Sequence, residues 1–270
     1  MSNSPGVVAG IDGSPAARVA VDWAAREAAL REWPLTIVHV AHWSSGADAA
    51  VADAVATAEH AAGRTQVKIM TEILEPPVVP ALIEVSRDAG MLVVGRRGLG
   101  RVGRRLLGSV SSGLVRDAMC PVAVIHDEDP LMEHPETAPV VVGIDGSALS
   151  DAATAIAFDE AERRGVLLVA VHAWGAGRSG ELRESWPEAQ RAATGLLNGR
   201  LAQFQQRHPG VRVRRVVVMG DPAPELVRQS ETTQLTVVGS RGRGRTQAPL
   251  GSVSEAVVEA ARMPVLVVRG

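Results

Sequence analysis

Apolar residues along this chain fall into short continuous runs, separated by stretches in which they recur at helical spacing. The first run, VVAGID at 7–12, reads as a buried strand. Beyond it Val19, Trp23, Glu27 and Leu30 share one helical face, with Ala16, Ala20 and Ala24 widening the stripe. Ser14 is placed to cap that helix and Pro15 to occupy its first position, and the pattern carries it to Glu32. Next come TIVHVA as a second strand, an alanine-rich helix over 48–64, QVKIMTEIL as a third strand and a helix over 80–88. MLVVG is the fourth strand, and a helix over 109–118 leads to the fifth, PVAVIH. Near-continuous apolar strands alternating with helices predict an α/β fold: a five-stranded parallel sheet with helices on both faces, joined by right-handed crossovers.

The same series occurs twice. GIDGS at Gly10 to Ser14 recurs at Gly143 to Ser147, MLVVG ending at Gly95 matches LTVVG ending at Gly239, LLGSVS at 106–111 matches PLGSVS at 249–254, and CPVAVI matches MPVLVV. Matches in conserved order mark a tandem duplication. In the second copy Ala152 and Ile156 take the places of Val19 and Trp23. Between the copies lies DEDPLMEHPETAP, acidic and proline-rich, which reads as a connector. The expected organisation is a first Rossmann-like domain at 5–126, a linker at 127–138 and a second domain at 139–270.

Composition narrows the functional classes. Hydrophobic residues make up 46% of the 270 and charged residues 21%, enough apolar material for packed cores. A net charge of -2 argues against a generic polyanion binder, and 3% aromatics, with no Tyr, argue against base-stacking nucleic-acid platforms. The single cysteine, Cys120, excludes an internal disulfide and a cysteine-rich zinc cluster. The start, MSNSPGVVAGIDGS, lacks the regions of a signal peptide, and no apolar run reaches membrane-span length. A cytoplasmic location and no membrane partner are therefore expected. Lys68 is the only lysine and has no glycine loop around it, which excludes a P-loop.

Two loops at the carboxyl ends of the strands carry candidate chemistry, the place where open α/β sheets bind ligands. Asp12, and Asp145 in the second copy, follow an apolar strand directly. Such a carboxylate can accept from a ribose hydroxyl or an exocyclic amine, or it can simply form an Asp-Gly turn. The loop after the fourth strand, GRRGLGRVGRRLLGSVS, holds Gly95, Gly98, Gly100, Gly103 and Gly108 together with Arg96, Arg97, Arg101, Arg104 and Arg105, and has no acidic residue from Gly95 to Arg116. Glycines let backbone N–H groups close on an anion, and the helix starting at Ser109 adds unpaired amides and the positive end of its dipole. The alternative is a flexible loop with solvated arginines.

Asp after the first strand, and G-x2-G-x9-G-[ST] after the fourth as Gly95, Gly98, Gly108 and Ser109, resemble the universal stress protein family in its tandem form. The resemblance covers nearly the whole chain. It implies two adenine nucleotide alpha hydrolase-like domains that bind ATP, with Asp12 near ribose and adenine and the Val40 backbone near adenine. Gly10, Gly95, Gly98, Gly100 and Gly108 would shape the site. Ser109, Val110 and Ser111 would bind phosphate oxygens through hydroxyl and backbone donors, and Arg96, Arg97 and Arg101 would offset charge. The matching second-copy set is Gly143, Asp145, Ala173, Gly239, Arg241, Gly242, Gly244, Arg245, Gly251, Ser252, Val253 and Ser254. This copy departs from the motif: eight residues separate Gly242 from Gly251 where nine are wanted, and Pro249 lies among them. A one-residue deletion moves the second glycine cluster by up to about 3.5 Å.

Other features are read as structural. His39 and His172 occupy matching strand positions in separate domains without metal-ligand spacing, so a strand-end histidine bonded to backbone is expected. GLGRVG matches the dinucleotide string but follows the fourth strand instead of the first, which argues against NAD. Neither a GxSxG elbow nor an SGGxDS phosphate cradle is present. Trp23, Trp33, Trp43, Trp174 and Trp186 are expected as core or interface anchors, and Cys120 as a buried small hydrophobe. The longer segment RSGELRESWPEAQRAA of the second copy reads as a charged helix that covers the cleft or meets a partner.

Together these features predict an ATP-binding, nucleotide-dependent regulator of stress or growth with little or no turnover. No catalytic residue and no metal site built from side chains alone is expected; Mg2+ would come with the ATP phosphates. A slow ATPase, and a ligand-free scaffold for acidic proteins, are the alternatives. The apolar fifth strands predict pairing of the two halves, and the resemblance implies a homodimer and a regulatory protein partner.

Overall fold

The computed structural model describes residues 5–41, 46–98, 107–126, 137–175, 186–242 and 250–269. Two compact units divide between Met132 and Glu133. The first contains β1 (Gly6–Ile11), α1 (Pro15–Arg31), β2 (Leu35–Val40), α2 (Ala47–Ala62), β3 (Ile69–Leu74), α3 (Val78–Val85), β4 (Ala89–Gly95), α4 (Ser109–Asp117) and β5 (Val122–Ile125). Its strands are parallel and lie in the order β3-β2-β1-β4-β5. The second contains β6 (Val140–Gly143), α5 (Ala148–Arg164), β7 (Leu168–Gly175), α6 (Trp186–Arg207), β8 (Val213–Gly220), α7 (Pro222–Ser230), β9 (Leu235–Gly239), α8 (Ser252–Ala260) and β10 (Val265–Val268), in the parallel order β8-β7-β6-β9-β10.

In each unit the strand order reverses between the first and fourth strands. Right-handed crossovers then place the first two helices on one face and the last two on the other. The packing follows that rule: α1 lies with α2 and α3 with α4, as α5 lies with α6 and α7 with α8. Between the two layers Val7, Leu35, Ile37, Leu92, Val93, Val122 and Val124 are wholly buried, as are Val141, Leu168, Val237 and Val267. The outer strands differ from the central ones. Met70, Thr71 and Glu72 on β3, and Arg214, Arg215 and Met219 on β8, are exposed, because an edge strand has a neighbour on one side only.

Helix α1 shows why alanine recurs in these halves. Ser14 accepts from the Ala17 N–H at 3.2 Å and Pro15 is the first helical residue; Ser147 caps α5 in the same way through Ser150. The buried side of α1 consists of Ala16, Ala17, Ala20, Val21, Ala24, Ala25 and Ala28. Val19, Trp23 and Leu30, expected on the buried stripe, are half-buried at its margin instead. A Cβ added to Gly95 would stand 2.9 Å from the Ala16 carbonyl. Such an approach of helix to strand leaves room only for the smallest side chains.

The helix also buries charge. The Arg31 guanidinium donates to Glu27 at 2.6 Å, with 8% and 1% of the two side chains exposed, and lies 4.7 Å from the centroid of the Trp33 ring. Arg164 and Glu160 repeat the pair at 3.0 Å in the second unit, where Arg164 also donates to Gln234. Both pairs span one helical turn, the spacing at which side chains meet.

Candidate functional site

The reversal of strand order opens a cleft at the carboxyl edge of each sheet, and the two loops singled out above converge there. Asp12 leaves β1 and its Oδ1 accepts the Ser14 N–H at 3.0 Å, while Gly13 takes a φ of 79°. Asp145 repeats the turn through Ser147 at 2.9 Å, with Gly146 at 84°. Left-handed backbone of this kind favours glycine. The Asp-Gly pair therefore does form a turn, and the turn also aims the second carboxylate oxygen across the cleft. There it faces the second glycine of the fourth-strand loop. A Cβ on Gly98 would collide with Asp12 Oδ2, and one on Gly242 would lie 2.5 Å from Asp145 Oδ2.

The motif glycines do different things. Gly95 and Gly239 end β4 and β9 and admit the first turns of α1 and α5, since a Cβ on Gly239 would stand 3.0 Å from the Leu149 carbonyl. Gly10 and Gly143 make room for Leu82 and Leu226 below the cleft. Gly108 closes the neck of the loop, its N–H donating to the Arg96 carbonyl at 2.9 Å. Gly251 does so to Ser240 at 2.8 Å.

The Ser111 hydroxyl is buried and donates to the carbonyls of Arg96 and Gly108, at 2.9 and 3.1 Å, so it closes the loop from below. Ser254 does the same with the Gly239 carbonyl at 2.6 Å. Ser109 and Ser252 are exposed at the helix starts. Gly108 and Gly251 are N-caps without a side chain to satisfy the first amides. The first intrahelical bonds are Ser112 N–H to Gly108 and Glu255 N–H to Gly251, both 2.9 Å. The amides of Ser109, Val110 and Ser111, and of Ser252, Val253 and Ser254, precede those bonds, as orphan donors do at any helix start. Helices α1 and α5 use a serine there; α4 and α8 leave the position to glycine.

In the second unit these groups surround a cavity of about 760 Å³. Gly143, Asp145, Ala173, Gly239, Arg241, Gly242, Gly251, Ser252, Val253 and Ser254 all line it. Every described member of the expected second-copy set is thus brought together, despite the shorter loop. Gly244 and Arg245 lie outside the described residues, as do Gly100, Arg101, Gly103, Arg104, Arg105, Trp43 and Pro249. In the first unit Val40 ends β2 and Arg96 and Arg97 stand half-buried beside Gly98.

The cavity also contains residues outside the expected site set. Pro222 and Leu226 of α7, and Ala189, Ala192 and Leu196 of α6, form its apolar walls. Ala189 and Ala192 belong to the segment RSGELRESWPEAQRAA, read above as a helix that covers the cleft or meets a partner. Trp174 lines the cavity as well, and Trp186 is 65% exposed; neither is a core anchor. His172 lines it too, with Nδ1 bonded to the Ile144 carbonyl at 2.7 Å, as His39 Nδ1 is to Ile11 at 2.9 Å. The repeated histidine is the backbone-bonded, strand-end residue expected. Among the described residues no three His, Cys, Asp or Glu side chains are grouped to hold a metal ion, and no helix is long and apolar enough to cross a membrane.

Fold and cleft together define a tandem Rossmann-like α/β protein with a repeated aspartate-glycine switch point. The universal stress protein family profile matches residues 6–126 and 137–269. Universal stress protein Rv2623 of Mycobacterium tuberculosis is 49% identical over 289 residues, covering 99% of this chain and 97% of that protein. Universal stress protein Rv2005c of the same organism is 47% identical over 285 residues, covering 98% and 97%. A universal stress protein crystal structure from Archaeoglobus fulgidus shares the fold at a TM-score of 0.69 and 21% identity, over 100% of this chain and 99% of that one. The chain belongs to the universal stress protein family, with the family domain present twice.

Proposed function

We propose that the chain binds ATP at the carboxyl edge of each sheet and acts as a nucleotide-dependent regulator. The observation that carries this is the second-unit cavity. Its volume of about 760 Å³ is bounded by a carboxylate, apolar walls and an uncapped helix start, within the size range of small-molecule sites. Asp145 and Asp12 would accept from ribose hydroxyls. The amides of α8 and α4 would hold the phosphates, an anion-binding use of a helix N-terminus, with Arg241, Arg96 and Arg97 offsetting charge. Val40 and Ala173 present backbone at the base. The oxygen donors suit Mg2+ only through phosphate oxygens, with at most one carboxylate nearby. Little turnover is expected, because each aspartate has one oxygen engaged in its turn. Ligand binding would order the glycine loop and change the surface offered to a protein partner.

Acid extraction of the purified chain, with chromatography of the released nucleotide, tests this proposal. Two ATP per chain, halved by Asp12→Ala or by Asp145→Ala, is the expected result. One ATP, lost only with Asp145→Ala, would restrict binding to the second unit. No extracted nucleotide and no binding of added ATP would overturn the proposal in favour of a ligand-free scaffold.

A further inference from the structure

Trp174 stands near the end of β7, one residue beyond Ala173, and is part of the wall that Asp145, Gly242 and Ser252 complete. Its ring meets that of Trp186, the first residue of α6, edge to face, with centroids 6.2 Å apart and planes at 75°. Such a pair holds two indoles at a defined angle. About one and two turns along α6 the residues facing the same cavity are Ala189, Ala192 and Ala193. Small side chains there leave the space next to the indole open. An aromatic ring kept half-exposed in an otherwise polar and aliphatic cleft is unusual in a chain with 3% aromatics. Large apolar surface left at a cleft is the mark of a contact made with a ligand. Strand register puts Ala41 at the corresponding position of the first unit, directly after β2.

We propose that Trp174 is the base-stacking wall of the second-unit site. The inference rests on the nucleotide function proposed above and adds a residue to it. A planar base presents a π-face to the indole. A polyphosphate alone gains nothing from the ring and depends only on the α8 amides and Arg241.

The test uses the full chain carrying Asp12→Ala, compared with the same chain carrying Trp174→Phe or Trp174→Leu. Binding of ATP and of inorganic tripolyphosphate is measured by equilibrium dialysis and competition. Base–aromatic stacking is strong enough that Trp174→Leu should weaken ATP binding about tenfold or more, whereas Trp174→Phe stays within about threefold of the parent. Tripolyphosphate affinity should be the same in all three. Equal ATP affinity in the Phe and Leu variants, whether kept or lost, would overturn the assignment, and so would a parallel loss of tripolyphosphate binding, which marks a structural role. A parent chain that binds neither ATP nor tripolyphosphate would overturn the nucleotide function itself, a result distinct from either of these.

Discussion

Gly98 and Asp12 lie against each other across the switch point of the first sheet, with space for a hydrogen but not for a Cβ between them, and Gly242 and Asp145 repeat the contact. The obstructing atom is the tip of a short side chain that can rotate, so Gly98→Ala should leave stability within about 1 kcal/mol of wild type while displacing the carboxylate from the cleft. Loss of ATP binding with an unchanged urea midpoint is the expected outcome for Gly98→Ala and Gly242→Ala. Retained binding would show that the aspartates do not touch the ligand.

Gly95 belongs to the same motif but should fail differently. Its Cβ would press on the Ala16 backbone at 2.9 Å, and backbone cannot rotate away. Overpacking of this kind costs about 1–3 kcal/mol. Gly95→Ala and Gly239→Ala should therefore lower the urea midpoint, and a midpoint equal to that of wild type would contradict the packing described for α1 and α5.

Glu32 ends α1 with a φ of 55°, where Gly165 ends α5 at 65°. A side chain in left-handed backbone costs about 1 kcal/mol that glycine avoids. Glu32→Gly should raise the thermal midpoint by a few degrees, read by calorimetry, and a fall would mean that the Glu32 side chain makes a compensating contact.

Removing one member of a buried ion pair leaves its partner charged and desolvated. Glu160 is wholly buried beside Arg164, so Glu160→Ala should destabilise its unit by about 3–5 kcal/mol. Denaturant unfolding checks this value. The exposed pair of Arg18 and Asp53, at 2.6 Å, supplies the comparison, since Asp53→Ala should cost less than about 1 kcal/mol.

Burial pushes the Cys120 thiol up, to about 12 from 9.0. The native thiol should resist a thiol-specific reagent at pH 8 and react on unfolding. Between pH 9 and pH 12 the unfolded thiol loses its proton while the folded one keeps it, so stability falls as pH rises through that window. Cys120→Ala should flatten the fall, and an unchanged alkaline slope would assign it to other groups.

Periodicity was sufficient for the architecture. Apolar runs such as VVAGI and LTIVHV name the central strands, because a parallel strand buried on both faces has few polar positions. Ser14 with Pro15 marks the start of α1, and the repeated GIDGS and LGSVS segments mark two copies. The outer parts were less legible. The third strand was read as QVKIMTEIL, but only Ile69–Leu74 is strand, since an edge strand is held on one side and its ends have no neighbour to pair with.

Site chemistry divides in the same way. Glycine, aspartate and arginine declare themselves locally, since left-handed turns, amide cradles and positive charge depend on residue type and short spacing. Contacts between segments do not. Nothing in the spacing showed that Ser111 donates inward to Arg96 and Gly108, that Gly98 faces Asp12, or that Trp174 and Leu226 share a cavity. The chain's order of residue types specifies elements and the groups they can offer. Which groups meet depends on crossovers that bring positions dozens of residues apart to one sheet edge, and a linear pattern carries no record of that distance.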